Sequence, residues 1–219
     1  MKRKKTKGNE ILKIENLLTA NEKVDVSSEN FKKIMFIYSV GIKEIQTKLE
    51  IIQNEFKIFY DYNLIDHITT RIKSPESIKK KMAKKDLEFT YNDMIKNIND
   101  IAGIRVICPL KKDIYSIRNL IEELPGIEIQ KEKDYVVNPK KSGYSSYHMI
   151  LNVPIALSKS IMYVKVEMQI RTMAMDFWAS LEHTMKYKPK QELSKQASKE
   201  LVSYAKIINK LDNKIMALK

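Results

Sequence analysis

Between Ile161 and Arg171 the chain alternates almost perfectly: Met162, Val164, Val166, Met168 and Ile170 against Tyr163, Lys165, Glu167, Gln169 and Arg171. Side chains along a strand point to opposite faces with period two, so this pattern predicts a strand with one apolar and one polar face. The apolar face needs cover, and helical patterns elsewhere can supply it. After Ser27-Ser28-Glu29, the residues Phe31, Ile34, Met35, Tyr38, Ile42, Ile45, Leu49 and Ile52 recur at helical spacing, which predicts a helix running to about Tyr62. Ser74-Pro75-Glu76 reads as a second helix start, with an N-cap serine, proline at the first turn and an acid at the positive dipole end. Ile101–Pro109 reads as a short apolar strand, Asp113–Leu124 as a helix closed by Pro125-Gly126, and Tyr144–Val153 as a half-buried strand. Helices from about Thr172 to Tyr187 and from about Leu193 onward follow. Strands set among helices predict an α/β (α+β) fold: a mixed sheet flanked by helices, with long N- and C-terminal helices.

At 219 residues the chain can bury one good core. We expect residues 1–26 to form a basic tail and a short helical segment, and residues 27–219 to form a single domain with its core in 66–190. No apolar run reaches the roughly 18 residues of a membrane span, and the basic start Met1–Lys7 runs into Gly8-Asn9-Glu10 instead of a signal core. The single Cys108 excludes an internal disulfide and suits a reducing, cytoplasmic setting. With only His67, His148 and His183 beside it, a structural zinc site is not expected. A net charge of +13 attracts nucleic acid, anionic lipid or nucleotide phosphates, or serves solubility alone.

Four segments could carry chemistry. Five glycines and no GxxxxGK[ST] sequence exclude a P-loop, so any triphosphate must be held mainly by Lys and Arg. In Arg71–Lys84, Arg71 and Lys73 share a face if extended, while Ser77, Lys81 and Lys84 share a helix face at i, i+4 and i+7. Taken alone, such a run is more often a solvated basic face. Asp100, at the mouth of an apolar strand, suits a hard divalent cation, and Arg105 inside that strand needs an anion or a stacking partner. A turn-capping Asp and a structural ion pair explain them as well. In Lys140-Lys141-Ser142-Gly143-Tyr144-Ser145-Ser146-Tyr147-His148, the glycine permits a bend after which Tyr144, Ser146 and His148 share a face. This could be a base-stacking and phosphate-binding set, or cross-strand packing. Last, Glu167, Gln169 and Arg171 point the same way, leading into Met175-Asp176-Phe177-Trp178-Ala179 and on to Glu182-His183.

Together and in this order, RxKxxxSxxxK, DIAGIRV, KxxGYxSxH and ExQIRTxAMxxWAxxEH resemble the synthetase domain of the RelA/SpoT family, specifically its stand-alone small alarmone synthetases. The match spans roughly Arg71 to Lys188. The resemblance implies a nucleotidyltransferase-like fold and a GTP pyrophosphokinase of the bacterial stringent response. Such an enzyme moves the β,γ-pyrophosphate of ATP to the 3′-hydroxyl of GTP or GDP, with GMP as a further acceptor, giving (p)ppGpp and AMP. It implies that Arg71 and Arg105 sandwich adenine, that Lys73, Ser77, Lys81 and Lys84 bind the ATP phosphates, and that Asp100 and Glu167 are catalytic and hold Mg²⁺. Glu167 would also take the proton from the 3′-hydroxyl. Tyr144 would stack on guanine, Lys140 and His148 would contact the acceptor phosphates, and Gln169, Asp176, Ala179 and Glu182 would line the acceptor pocket.

Asp176 departs from the Asn common among small synthetases, which leaves the preference among acceptors open. The paired His and Asp ligands of the family's hydrolase have no counterpart here, since the only adjacent pair is the reversed Asp66-His67. We therefore expect synthesis only. The resemblance also implies a homotetramer without membrane attachment, with single-stranded RNA or an alarmone as candidate regulators. Two other readings remain at this point: a non-catalytic RNA-binding module, and a nucleotidyltransferase that attaches NMP to an acceptor.

Overall fold

In the computed structural model, residues 10–14, 22–186 and 194–218 are described. Six strands form one mixed sheet: β1 (Glu10–Lys13), β2 (His67–Ile72), β3 (Ala102–Cys108), β4 (Glu128–Asp134), β5 (Tyr147–Ala156) and β6 (Ser160–Thr172). The helices are α1 (Glu29–Phe59), α2 (Pro75–Lys84), α3 (Tyr91–Asn97), α4 (Lys111–Glu122), α5 (Met173–Lys186) and α6 (Lys195–Met216). The sheet order is β2-β3-β6-β5-β4, and β1 pairs with the first part of β6. Strands β1 and β3 run parallel to β6; the remaining pairs are antiparallel.

The alternation in β6 decides the layering. Met162, Val164, Val166, Met168 and Ile170 are buried, and α1 lies against strands β2, β3, β5 and β6. The inner stripe of α1 includes Ile34, Tyr38, Ile45 and Leu49, all fully buried. Helix and strand approach closely at Gly41, where an added Cβ would stand 2.3 Å from Val164 Cγ1. Only a residue without a side chain fits there. Ser28 caps α1 by accepting from the Phe31 N–H, and Ser74 caps α2 by accepting from Ser77 N–H, with Pro75 at the first position.

Several expectations need correcting. Glu10–Lys13, inside the stretch read as tail and short helix, is a strand pairing with β6; residues 1–9 and 15–21 lie outside the described residues. The ends of the helices placed at Tyr187 and Leu193 also fall outside them. Tyr144 precedes β5 and is not part of it, because the chain between Lys140 and Tyr144 closes into a turn. Strands β2 and β4 and helix α3 have no counterpart among the predicted elements. Strand β4 is an edge strand of sequence EIQKEKD, charged and mostly exposed, so it lacks an apolar period. Among the described residues, no helix is long and apolar enough to cross a membrane.

Candidate active site

Opposite α1, the polar face of the sheet gathers the charged residues in rows set by the strand register. Arg71, Gly103, Glu167 and Ile150 form one row across β2, β3, β6 and β5, and Thr69, Arg105, Gln169 and His148 form the next. Glu167 is the hinge of the arrangement. It lines a cleft of about 170 Å³ with Arg71, Gly103, Arg105 and Gln169. It also lines a neighbouring cleft of about 290 Å³, with Asp100, Lys81, Lys140 and His148 among its walls.

Asp100 sits just before β3 and is 7% exposed. Its Oδ2 accepts hydrogen bonds from Lys73 Nζ at 3.0 Å and forms an ion pair with Lys81 Nζ at 2.8 Å. Burial pushes this carboxyl up, but the two lysines outweigh it and hold it below the usual carboxylate range. Its Oδ1 is buried with no hydrogen-bond partner. A buried carboxylate oxygen without a partner is costly unless something absent from the protein itself completes it. Glu167 is similar: burial raises its pKa, but His148 and Gln169 pull it below the ordinary value, against a smaller opposing effect of Asp100. Its Oε1 lies 3.6 Å from His148 Nδ1, and its Oε2 accepts from Gln169 Nε2 at 2.9 Å. The described residues contain no cluster of three or more His, Cys, Asp or Glu able to hold a metal. Two ionised acids around a free carboxylate oxygen fit a hard cation that takes its other ligands from phosphate and water.

On the other side of Glu167, Arg171 organises a polar cluster. It is 4% exposed, and its guanidinium donates to Ser146 Oγ (3.3 Å), Asp176 Oδ1 (2.9 Å), Tyr144 Oη (2.6 Å) and Gln169 Oε1 (2.7 Å). Asp176 Oδ1 also pairs with Arg105 at 3.1 Å, so one carboxylate oxygen joins the two arginines. Arg105 Nε is buried without a partner. Tyr144 Oη and His148 Nε2 are 2.8 Å apart. The Lys140 ammonium lies 4.6 Å from the Tyr144 ring centroid and 4.7 Å from that of Tyr135.

Most of the residues singled out in the sequence therefore converge. Arg71, Lys73, Lys81, Asp100, Arg105, Lys140, Tyr144, His148, Glu167, Gln169 and Asp176 all belong to the two clefts or to side chains bonded to them. Ser77 is exposed and engaged with Ser74 at the start of α2. Lys84 is exposed and lines neither cleft, whereas Lys85 lines the larger one and donates to the Asn97 carbonyl. Lys85 stands four residues after Lys81, about 40° from it on a helical wheel against about 60° for Lys84, and the cleft takes the nearer of the two. Ala179 and Glu182 continue the Asp176 side of α5 but line neither cleft. Arg171 and Tyr135 were not assigned roles from the sequence. The signal for Arg171 in the sequence was its place on the polar face beside Glu167 and Gln169; its burial, which requires several acceptors, shows only in the fold. Tyr135 follows an irregular edge strand and carries no such pattern.

Residues 70–192 match the region found in RelA / SpoT proteins. The chain is also 41% identical to GTP pyrophosphokinase YwaC of Bacillus subtilis, over 87% of this chain and 91% of that protein. It belongs to the RelA/SpoT family. GTP pyrophosphokinase YjbM of B. subtilis is 27% identical over 89% of this chain and 90% of its own length. Among solved structures, small alarmone synthetase 2 of B. subtilis superposes with a TM-score of 0.78 at 39% identity, over 87% of this chain and 98% of that one. Small alarmone synthetase 1 of the same organism, bound to its product pppGpp, gives 0.80 at 27% identity, over 87% and 97%. The fold expected from the motifs is the fold of these family members.

Proposed function

We propose that this family member is an alarmone synthetase that transfers the β,γ-pyrophosphate of ATP to the 3′-hydroxyl of GTP or GDP, releasing AMP, with GMP as a further acceptor. The observation that carries the reading is the place of Glu167: one carboxylate borders both the arginine cleft and the lysine-rich cleft, with a second buried acid, Asp100, beside it. Two clefts meeting at a charged group suit a transfer between two bound molecules.

Arg71 and Arg105 flank the smaller cleft, where their planar guanidiniums suit an adenine ring. Lys73 and Lys81, both paired with Asp100 at the larger cleft, take the place of a P-loop for the phosphates that extend from that ring, with Lys85 continuing the positive wall. Tyr144 offers a face for guanine, and Lys140 and His148 offer contacts to acceptor phosphates. Asp176 joins Arg105 to Arg171, Gln169 accepts from Arg171, and both face the acceptor, while Ser77, Lys84, Ala179 and Glu182 are assigned outer positions around the same nucleotides. Asp100 and Glu167 would hold Mg²⁺, which neutralises the charge that builds on the transferring group. Glu167, ionised at neutral pH, accepts the proton of the 3′-hydroxyl as the new O–P bond forms and the bond to AMP breaks. Orientation and fixed charge account for most of such an acceleration.

Incubation of the protein with Mg²⁺, ATP and GTP, followed by nucleotide separation, tests this. AMP and a guanosine 3′-diphosphate species are expected. Pyrophosphate release points instead to a nucleotidyltransferase, and no turnover to an RNA-binding module. We also assign the protein to the cytoplasm and to a homotetramer. The exposed Tyr204, Ile207, Leu211 and Ile215 on α6 and Phe36 and Ile51 on α1 are apolar surfaces suited to subunit contacts. Light scattering measures that state directly, and RNA or alarmone regulation is tested by adding each to the same assay.

A further inference from the structure

A third cavity, about 210 Å³, lies between the loop around Lys140–Ser145 and helices α5 and α6, and shares only Lys140 with the larger cleft. Its lining is chiefly apolar, with Trp178, Val202 and Ile208 among its walls, and three lysines border it: Lys140, Lys141 and Lys206. We propose that this pocket binds a small amphipathic anion, a medium-chain or aryl carboxylate, and that its occupant competes with the acceptor nucleotide for Lys140.

Three observations carry the assignment. The volume is below the range of drug-sized pockets, which begins near ~300 Å³, so the ligand is small. Apolar walls beneath exposed ammonium groups select an apolar body with an anionic head, the charged ends of the lysines staying in water. The one acid present, Asp212, does not reverse this selection. It is 5% exposed, its Oδ2 accepts from Thr172 Oγ1 at 2.7 Å, and burial keeps its carboxyl above the usual value against the pull of Thr172 and Lys111.

The link to the active site is a shared residue. Lys140 borders this pocket and the larger cleft, and its ammonium rests over the rings of Tyr144 and Tyr135. An anionic head drawing that ammonium outward removes it from the aromatic pair and from the phosphates beside them. Loop and pocket wall also touch directly at Gly143, where an added Cβ would lie 2.5 Å from Ala205 Cβ. The kinetic effect rests on the acceptor role proposed for Lys140; the binding does not.

Trp178 is the only tryptophan of the chain and stands in the pocket wall, so its fluorescence reports binding without any need for turnover. The full chain is titrated with octanoate and, separately, with octylammonium. A saturable change with octanoate alone is expected. Lys206→Glu should weaken it roughly three- to tenfold, the effect of reversing one exposed charge, while basal turnover stays unchanged. Ile208→Asn should weaken it through the apolar wall. In steady state, octanoate should raise the KM for GTP and leave that for ATP unchanged. Equal response to octylammonium, no saturable response, or indifference to both substitutions overturns the site. Binding without a change in the KM for GTP overturns the coupling. Binding to a protein with no synthetase activity leaves the site standing and rejects the functional reading.

Discussion

Asp100 shows how one side chain joins structural and chemical demands. Its Oδ2 is saturated by two lysines while its Oδ1 is buried and unpartnered, so the residue is half solved as an ion pair and half open. Asp100→Asn and Glu167→Gln should each reduce turnover by orders of magnitude with the fold intact, checked by kcat in Mg²⁺ and by circular dichroism. Near-normal kcat in either would remove that acid from the metal site. The pH dependence has a definite sign. The folded-state pKa of Asp100 lies below its unfolded value, so its stabilisation is complete above the ordinary carboxylate range, about 4, and is lost as pH falls through the depressed value. Urea unfolding at a series of acidic pH values should therefore show a steeper loss in the wild type than in Asp100→Asn. Tyr144→Ala should weaken acceptor binding by about 1–3 kcal/mol, the worth of a base–aromatic stack, and leave ATP binding almost unchanged. Equal losses for both nucleotides would reduce the ring to packing between Lys140 and Arg171.

At the scale of elements, α2 separates a directional site from a merely basic surface. Lys81 points to Asp100 and the cleft, while its neighbour Lys80, about 100° around the helix, is exposed and lines neither cleft. Lys81→Ala should raise the KM for ATP or abolish turnover, and Lys80→Ala should do neither, although both remove one positive charge. Equal effects would assign the whole run to solubility. Lys85→Ala is expected to behave more like Lys81→Ala than Lys84→Ala does, because Lys85 lines the larger cleft with Lys81 and Lys84 lines neither. The motif spacing on α2 was legible in the sequence, since Ser74, Pro75 and the lysine periodicity state it locally. The choice of Lys85 over Lys84 was not, because positions three and four residues after Lys81 share nearly the same helix face and only the packing of α2 decides which reaches the cleft.

Across the whole molecule, the acceptor loop depends on a helix more than fifty residues further along. Gly143 has φ +91°, a region few side-chain-bearing residues adopt, and it packs against Ala205 and Trp178. The Trp178 indole donates to the Leu201 carbonyl, and Thr172, which caps α5, donates to Asp212, so α6 is tied to the loop and to α5 together. Gly143→Ala should raise the KM for GTP far more than that for ATP. Adding Ala205→Gly should recover the steric part of the loss and not the conformational part. No recovery, or an equal loss for both nucleotides, would show that the loop does not act through this contact, and complete recovery would leave no share of the loss to the backbone conformation of Gly143.

The residues of β6 determine much by themselves. Strict alternation commits a strand to one dry face and one polar face, so the burial of Met168 and the convergence of Glu167, Gln169 and Arg171 follow from period-two geometry alone. The caps of α1 and α2 and the α4 stop at Pro125-Gly126 are likewise local chemistry. Tertiary structure alone decided the pairing of β1 with β6, the presence of β4 at the sheet edge, and the joining of Arg105 and Arg171 through Asp176. Edge strands take their hydrogen bonds from a neighbour and need no apolar period of their own. The contacts around Asp176 likewise bring together residues from strands and helices far apart in the chain. Their distances come from the packing of the sheet, which no local pattern encodes.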